Sequence, residues 1–164
     1  MIGNNRGTKT AVAADDAGKA TPMVDNGEVQ DPLEEAKDKI TNWFKQNRFK
    51  QNKIDMIEDI ILNMAEEMVD GTLKINEQGL FTYKLTQPIG NPEAAHTYFE
   101  EVTLKNRMTY QQHVKQHMHK VKNGDTASQV LAYACGASGL HMNQLHSLDT
   151  RDLGFIRNYA LLFF

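Results

Sequence analysis

Histidines are the residues of this 164-residue chain whose spacing comes closest to a chemical site. His113 and His117 stand four residues apart, so both rings can lie on one helix face as metal chelation requires, and His119 follows closely. The chain has no His-Glu-x-x-His arrangement and no second cysteine, so a further ligand would have to come from another element. The surrounding glutamines and lysines favour the alternative, a solvated polar helix face, and we predict no metal site.

Cys135 is the one candidate nucleophile, and it lies among small residues near a predicted helix end. A reactive thiol needs a neighbouring base or cation that lowers its pKa, and no such neighbour is visible in the sequence. We therefore interpret Cys135 as a small buried hydrophobic residue. The chain also has neither a phosphate-binding glycine loop nor a Gly-x-Ser-x-Gly turn, so we predict a protein that is not an enzyme and needs no cofactor.

Two basic stretches could bind a charged partner. Residues 39–53 interleave lysines and an arginine with Trp43, Phe44 and Phe49, and residues 102–124 hold five cations and no acid. Cations beside aromatic rings can hold phosphates and stack bases, which is one hypothesis for both stretches. The alternative is a pair of solvated helix faces whose lysine stems cover apolar surface. The net charge of −3 argues against nucleic acid as the main partner.

Composition indicates an ordinary globular protein, with 40% hydrophobic and 24% charged residues. A single cysteine excludes an intramolecular disulfide and indicates a reducing compartment. No apolar run approaches the roughly 18–20 residues that a membrane span needs. We therefore expect a soluble cytoplasmic protein that does not bind membranes.

The first half of the chain predicts a tail followed by helices. Residues 1–31 are polar and without period, which predicts a disordered tail. Asp31-Pro32 then supplies a helix N-cap and a first-position proline, and the apolar spacing of 3 and 4 residues resumes at Ile54. The polar run 45–53 reads as a linker. Gly71 ends the periodicity, so residues 32–71 form a predicted N-terminal helical segment.

Beyond Gly71 the period changes from 3.6 to 2. Leu73 and Ile75, then a turn at Asn76–Gly79, then Phe81, Tyr83 and Leu85 predict a hairpin, and residues 98–104 predict a third strand. Helical spacing returns from residue 110, and a final helix opens at Asp149 with Asp152 as the acidic end of a capping box. We predict an α+β, mostly helical fold. It comprises a small antiparallel hairpin or meander followed by a C-terminal helical bundle over residues 72–164, with an N-terminal helical extension.

The apolar helix faces are candidate partner-binding surfaces. Several carry methionine, an adaptable side chain that suits docking as well as filling gaps in a core. The candidates by this reasoning are Ile57, Ile61, Met64, Met68, Tyr110, Met118, Leu153 and Ile156.

Three segments resemble the tail assembly chaperone family of long-tailed bacteriophages. They are Phe81-Thr-Tyr-Lys-Leu-Thr-Gln-Pro-Ile89, Glu100-Glu-Val-Thr-Leu-Lys-Asn-Arg107 and the stretch from Gly139-Leu-His-Met to Leu148-Asp-Thr-Arg-Asp-Leu153. The family has strands of similar pattern, then helices, a "Gly-Leu-Ser…Leu-Asp…Asp" run and a last apolar helix. The resemblance covers about residues 80–164, and the N-terminal segment is additional to it.

The resemblance implies a non-enzymatic adaptor that binds the tape-measure protein, or another tail protein, during tail assembly in the cytoplasm of an infected bacterium. Three alternatives remain open. The chain could be a structural protein of the virion, a baseplate-assembly protein, or a nucleic-acid-binding regulator that uses residues 39–53 and 102–124. Homo-oligomerisation is likewise open.

Overall fold

The computed structural model describes residues 31–94, 97–119, 121 and 124–163, so the predicted tail lies outside it except for Asp31. A three-stranded antiparallel sheet and seven α-helices make up the described part of the chain, which confirms the predicted α+β, mostly helical fold. The elements are α1 (Pro32–Gln46), α2 (Gln51–Met56), α3 (Glu58–Val69), β1 (Leu73–Ile75), β2 (Phe81–Ile89), β3 (Phe99–Leu104), a π-helical turn (Tyr110–Val114), α4 (Lys115–Met118), α5 (Thr126–Ser138), α6 (Met142–His146), α7 (Thr150–Ala160) and a 3-10 turn (Leu161–Phe163). No helix in these ranges combines the length and apolar character needed to cross a bilayer.

Helix α1 begins where the sequence predicts it. The Asp31 carboxylate accepts a hydrogen bond of 3.0 Å from the backbone N–H of Leu33, Pro32 takes the first helical position, and Glu34 and Glu35 occupy the first turn. Each feature stabilises a helix N-terminus, by satisfying a free N–H, fixing φ, or placing negative charge near the positive end of the helix dipole.

Two helical predictions need correction. The polar run predicted as a linker ends in the first three residues of α2, and Ile57 (φ −111°) separates α2 from α3 although the periodicity from Ile54 predicts one continuous helix. Ile54 and Ile57 on either side of this break are both buried. The helix predicted from residue 110 is a π-helical turn that continues as the short α4, and of its apolar side chains Val114 is fully buried.

The strands form the predicted meander, in the order β1-β2-β3. Leu73 pairs with Tyr83 across the hairpin, and Tyr83 pairs with Val102 on the other side, so these three side chains share the buried face of the sheet. In the hairpin turn, Asn76 Oδ1 accepts hydrogen bonds of 3.0 Å from the backbone N–H groups of Gln78 and Leu80.

One hydrophobic cluster runs from Ala36 to Leu162, so residues 32–71 and 72–164 share a core. Aromatic contacts connect the two segments through the indole of Trp43, whose Nε1–H also donates a 2.7 Å hydrogen bond to the carbonyl oxygen of Gly79. The aromatic side chains form a closed circuit of successive ring contacts with centroid distances of 4.3–6.2 Å, in the order Phe81, Trp43, Phe44, Phe49, Phe163, Tyr159 and back to Phe81.

A buried carboxylate attaches helix α7 to the sheet. Asp149 caps α7 as predicted, by accepting from the backbone N–H of Arg151, but Asp152 does not act as the far end of a capping box. Its side chain is fully buried and accepts three hydrogen bonds from β2: from the hydroxyl of Tyr83 (3.1 Å), the backbone N–H of Thr86 (2.9 Å) and the Thr86 hydroxyl (2.8 Å). Phe155, one helical turn later, stacks on the Tyr83 ring at 4.1 Å.

We predict that Asp152→Ala lowers the free energy of unfolding by about 3 kcal/mol, because it leaves buried donors on β2 without an acceptor. Asp149→Ala is the matched control, since it removes one exposed cap and costs about 1 kcal/mol. Urea unfolding of both variants measures the difference. Equal losses for the two variants would contradict the anchoring role of Asp152.

Candidate functional site

The residues predicted to bind a partner lie mostly in the core. Ile57, Ile61, Met64 and Ile156 are buried, and Met68, Met118 and Leu153 are half-buried. Tyr110 exposes 48% of its surface and is the most open of the eight. Helix α3 packs on α1, and α7 packs on α5. The apolar stripes predicted to bind a partner therefore contact other helices of the same protein.

The two basic stretches meet at one groove. The α1–α2 connection and the first turn of α2 line one side, residues 106–109 after β3 line the other, and Phe163 lies between them; the groove has a volume of about 590 Å³. The side-chain amide of Asn106 donates a 3.0 Å hydrogen bond to Asn47 Oδ1 and links the walls. We call this the cationic groove, defined by the cations Arg48, Lys50, Lys53 and Arg107 and by the apolar floor of Phe49, Met108 and Phe163.

Arg48 enters the groove from a strained turn. After α1 its backbone N–H donates to the carbonyl oxygen of Lys45, and the N–H of Phe49 donates to that of Phe44, both at 3.1 Å. This pair of backbone hydrogen bonds ends many helices and requires a residue with left-handed backbone conformation, usually glycine. Arg48 adopts φ 66°, and it is the one non-glycine residue with positive φ in the described part of the chain. The chain thus carries a cation where backbone geometry favours glycine.

The floor of the groove is an extension of the core. The Phe49 ring makes edge-to-face contacts with Phe44 at 5.0 Å and with Phe163 at 6.2 Å. The three floor residues are half-buried and pack against the core, so they expose apolar surface while being held in place. Because these rings are already held edge-to-face by other rings, the floor suits an inserted apolar side chain better than a stacked nucleobase.

The cations of the groove have no acidic counterpart among the residues that the structure describes. Ion pairs in that part of the chain involve Lys37, Lys39 and Arg151, and none of the groove cations. Four like charges therefore converge in a chain whose net charge is −3. A concave surface lined by one sign of charge attracts ligands of the opposite sign, so the groove can receive an acidic segment that carries apolar anchors.

The histidines are grouped differently from the prediction. His113 turns back on its own turn, where its Nδ1 accepts from the backbone N–H of Thr109 at 3.1 Å. His117 and His119 instead line a second pocket, of about 550 Å³, with His141 and His146 from the region of α6. Within the described ranges no three histidine, cysteine or carboxylate side chains are arranged to hold a metal ion.

The environment of His117 opposes its protonation. Burial lowers the pKa of this imidazole below its ordinary value of 6.5, and the neighbouring His141, Lys105 and His119 lower it further. The His117 and His141 ring centroids lie 6.3 Å apart. Protonation of His117 would add a positive charge close to that of Lys105, which is unfavourable in this partly buried pocket.

Cys135 is buried, as interpreted from the sequence. Burial raises the pKa of its thiol to about 11, so the sulfur is protonated at neutral pH and is a poor nucleophile.

No protein-family model, curated protein or solved structure matches the chain. The resemblance to tail assembly chaperones stays a prediction made from the three segments.

We predict that Arg48→Gly raises the free energy of unfolding by about 1 kcal/mol, because glycine adopts the left-handed conformation without the Cβ clash. Arg48→Ala keeps the clash and removes the same cation, so we expect it to leave stability close to that of the parent chain. Thermal and urea unfolding measure both. Destabilisation by both variants alike would show that the guanidinium supports the fold, contrary to its assignment as a groove cation.

We also predict that stability falls as the pH drops below about 6.5, because His117 binds a proton more readily in the unfolded chain than in the folded one. This stability is fully present above the unfolded pKa and is lost as the pH approaches the lower, folded pKa. His117→Gln flattens that part of the pH profile, and His141→Gln flattens it partially by removing one neighbouring charge. Urea unfolding at a series of pH values gives the slopes; an unchanged slope in His117→Gln would contradict the assignment.

Proposed function

We propose that this protein is a non-enzymatic assembly adaptor that binds a tail protein of a long-tailed bacteriophage, the tape-measure protein being the first candidate. The observation that carries the adaptor role is the cationic groove, an open apolar-floored surface with unpaired cations. The choice of a phage tail protein as partner rests on the resemblance over residues 80–164.

The resembling segments build the scaffold behind the groove. Phe81–Ile89 is β2, the segment from Glu100 to Arg107 contains most of β3 and reaches the groove wall, and the segment from Gly139 to Leu153 leads through α6 into α7. The paired acids of the last segment are Asp149, the α7 cap, and Asp152, the anchor to β2. The resembling segments thus consist largely of residues that hold helices and strands in place. This supports an adaptor of that fold, in which the groove would determine the partner.

A tape-measure protein suits such a surface. The family role is to keep long helical, aggregation-prone stretches soluble, and amphipathic helices are commonly bound by laying apolar side chains into a groove. Cations around the floor add orientation and a faster encounter with an acidic helix. The groove has room for a few anchors, since sites of roughly 300–1,000 Å³ accept ligands of that size.

A nucleic-acid-binding regulator is the second candidate, because residues of both basic stretches line one groove. Lys120 and Lys122 of the second stretch lie outside the described residues. This candidate requires binding to DNA or RNA that weakens steeply with salt.

The test is co-expression of the full chain with the tape-measure protein of the same phage, followed by purification of the complex. We expect the parent chain to form a complex and Lys50→Glu/Arg107→Glu to weaken it at least about tenfold, a loss typical of removing charge pairs at an interface. The matched control is Lys74→Glu/Arg157→Glu, which makes the same charge change at two exposed positions outside the groove and should leave the complex intact.

Three results would contradict the proposal. They are failure of the parent chain to bind any tail protein, equal binding by the groove and control variants, and salt-sensitive binding to nucleic acid in place of protein. Stoichiometric presence of the chain in purified particles would replace the transient adaptor by a structural protein of the virion.

A further inference from the structure

The outer face of α3 carries acidic and apolar side chains in alternation. Asp59, Leu62, Glu66 and Val69 are spaced by 3, 4 and 3 residues and therefore lie on one side of the helix. All four are exposed, with 37% of Leu62 and 49% of Val69 open to solvent. This α3 outer face has the composition expected of a ligand for the cationic groove.

The acids of the α3 outer face are available for a partner. Glu67 points inward, where it accepts hydrogen bonds from the guanidinium of Arg151, and Glu58 has Lys37 near it. Asp59 and Glu66 form no ion pair with any residue that the structure describes. Two negative charges beside two exposed aliphatic side chains thus match the unpaired cations and apolar floor of the groove in both charge and polarity.

The match can be made only between molecules. Helix α3 packs on α1, and its buried residues Ile61, Met64 and Ala65 lie on a different side of the helix from Asp59, Leu62 and Glu66, which face solvent. The groove lies between the α1–α2 connection and residues 106–109 of the same chain. A helix held in this way cannot turn its outer face into the groove of its own molecule.

We propose that the free protein self-associates head to tail, with the α3 outer face of one copy docked in the cationic groove of a second copy. Each docked pair leaves one free groove and one free α3 face, so the contact continues into a ring or a short open chain. The proposal rests on the proposed function only in that a tail protein would use the same groove, and would then displace the second copy. The contact is charge-dependent, so it weakens with salt.

The test is sedimentation velocity of the full chain alone, at increasing protein concentration and at low and high salt. We expect the parent chain to show a concentration-dependent mass above that of the monomer, reduced by salt. Asp59→Lys/Glu66→Lys gives the α3 outer face the same sign of charge as the groove, and Lys50→Glu/Lys53→Glu lowers the formal charge of the groove cations from +4 to 0, so each variant alone should sediment as a monomer.

Mixing the two variants supplies the decisive result. In the mixture, the unchanged acidic α3 face of Lys50→Glu/Lys53→Glu meets the unchanged cationic groove of Asp59→Lys/Glu66→Lys, so association should return as a pair of the two variants. This outcome also requires that both variants are folded. Asp38→Lys/Glu77→Lys and Lys74→Glu/Arg157→Glu are matched charge reversals at exposed positions elsewhere and should associate like the parent chain.

A parent chain that stays monomeric at low salt and high concentration would overturn the proposal. So would variants that associate as the parent does, or mixtures that stay monomeric. No tail protein is present in this experiment, so its failure leaves the adaptor role standing, and failure to bind a tail protein leaves the self-association standing.

Discussion

The groove depends on how helix α7 is attached to the sheet, and a buried carboxylate supplies the polar part of that attachment. Asp152 accepts three hydrogen bonds from β2, two of them at Thr86, and Phe155 stacks on the Tyr83 ring beside it. The end of α7 then carries Tyr159 and, one turn further, Phe163, a ring that lines the groove. Asp152 does not line the groove, but a substitution at this position would alter the groove by shifting α7.

The groove combines features that work against stability. Arg48 has a left-handed backbone conformation that glycine would adopt with less strain. The four groove cations lie close together, and none forms an ion pair with a described acidic residue. Folding alone favours neither arrangement, because both raise the energy of the free protein. Features of this kind are expected where a surface is kept for a partner. By contrast, the buried side-chain nitrogen and oxygen atoms of the described residues all have hydrogen-bond partners.

The sequence predicts local elements well, because the residues that determine them are neighbours. A change of period places the hairpin, and Asp31 and Asp149 are recognisable as helix caps. The sequence locates the apolar stripes but cannot tell a stripe that faces a partner from one that faces the protein's own helices. Ile57, Met64 and Ile156 therefore look like docking residues in the sequence although they are buried in the structure. The Asp152 bond to Tyr83 spans 69 residues, and the floor of the groove joins three distant segments. Only the folded chain brings these together.

Binding of a partner in the cationic groove is tested most directly by methionine methyl NMR of the full chain. Met108 lies on the floor of the groove, Met142 lines the histidine pocket, and Met64 is 1% exposed in the core. On addition of the tape-measure protein we predict that the Met108 signal shifts or broadens while those of Met142 and Met64 keep their positions. A shift at Met142 with Met108 unchanged would contradict binding in the groove and would place the docking surface at the histidine pocket.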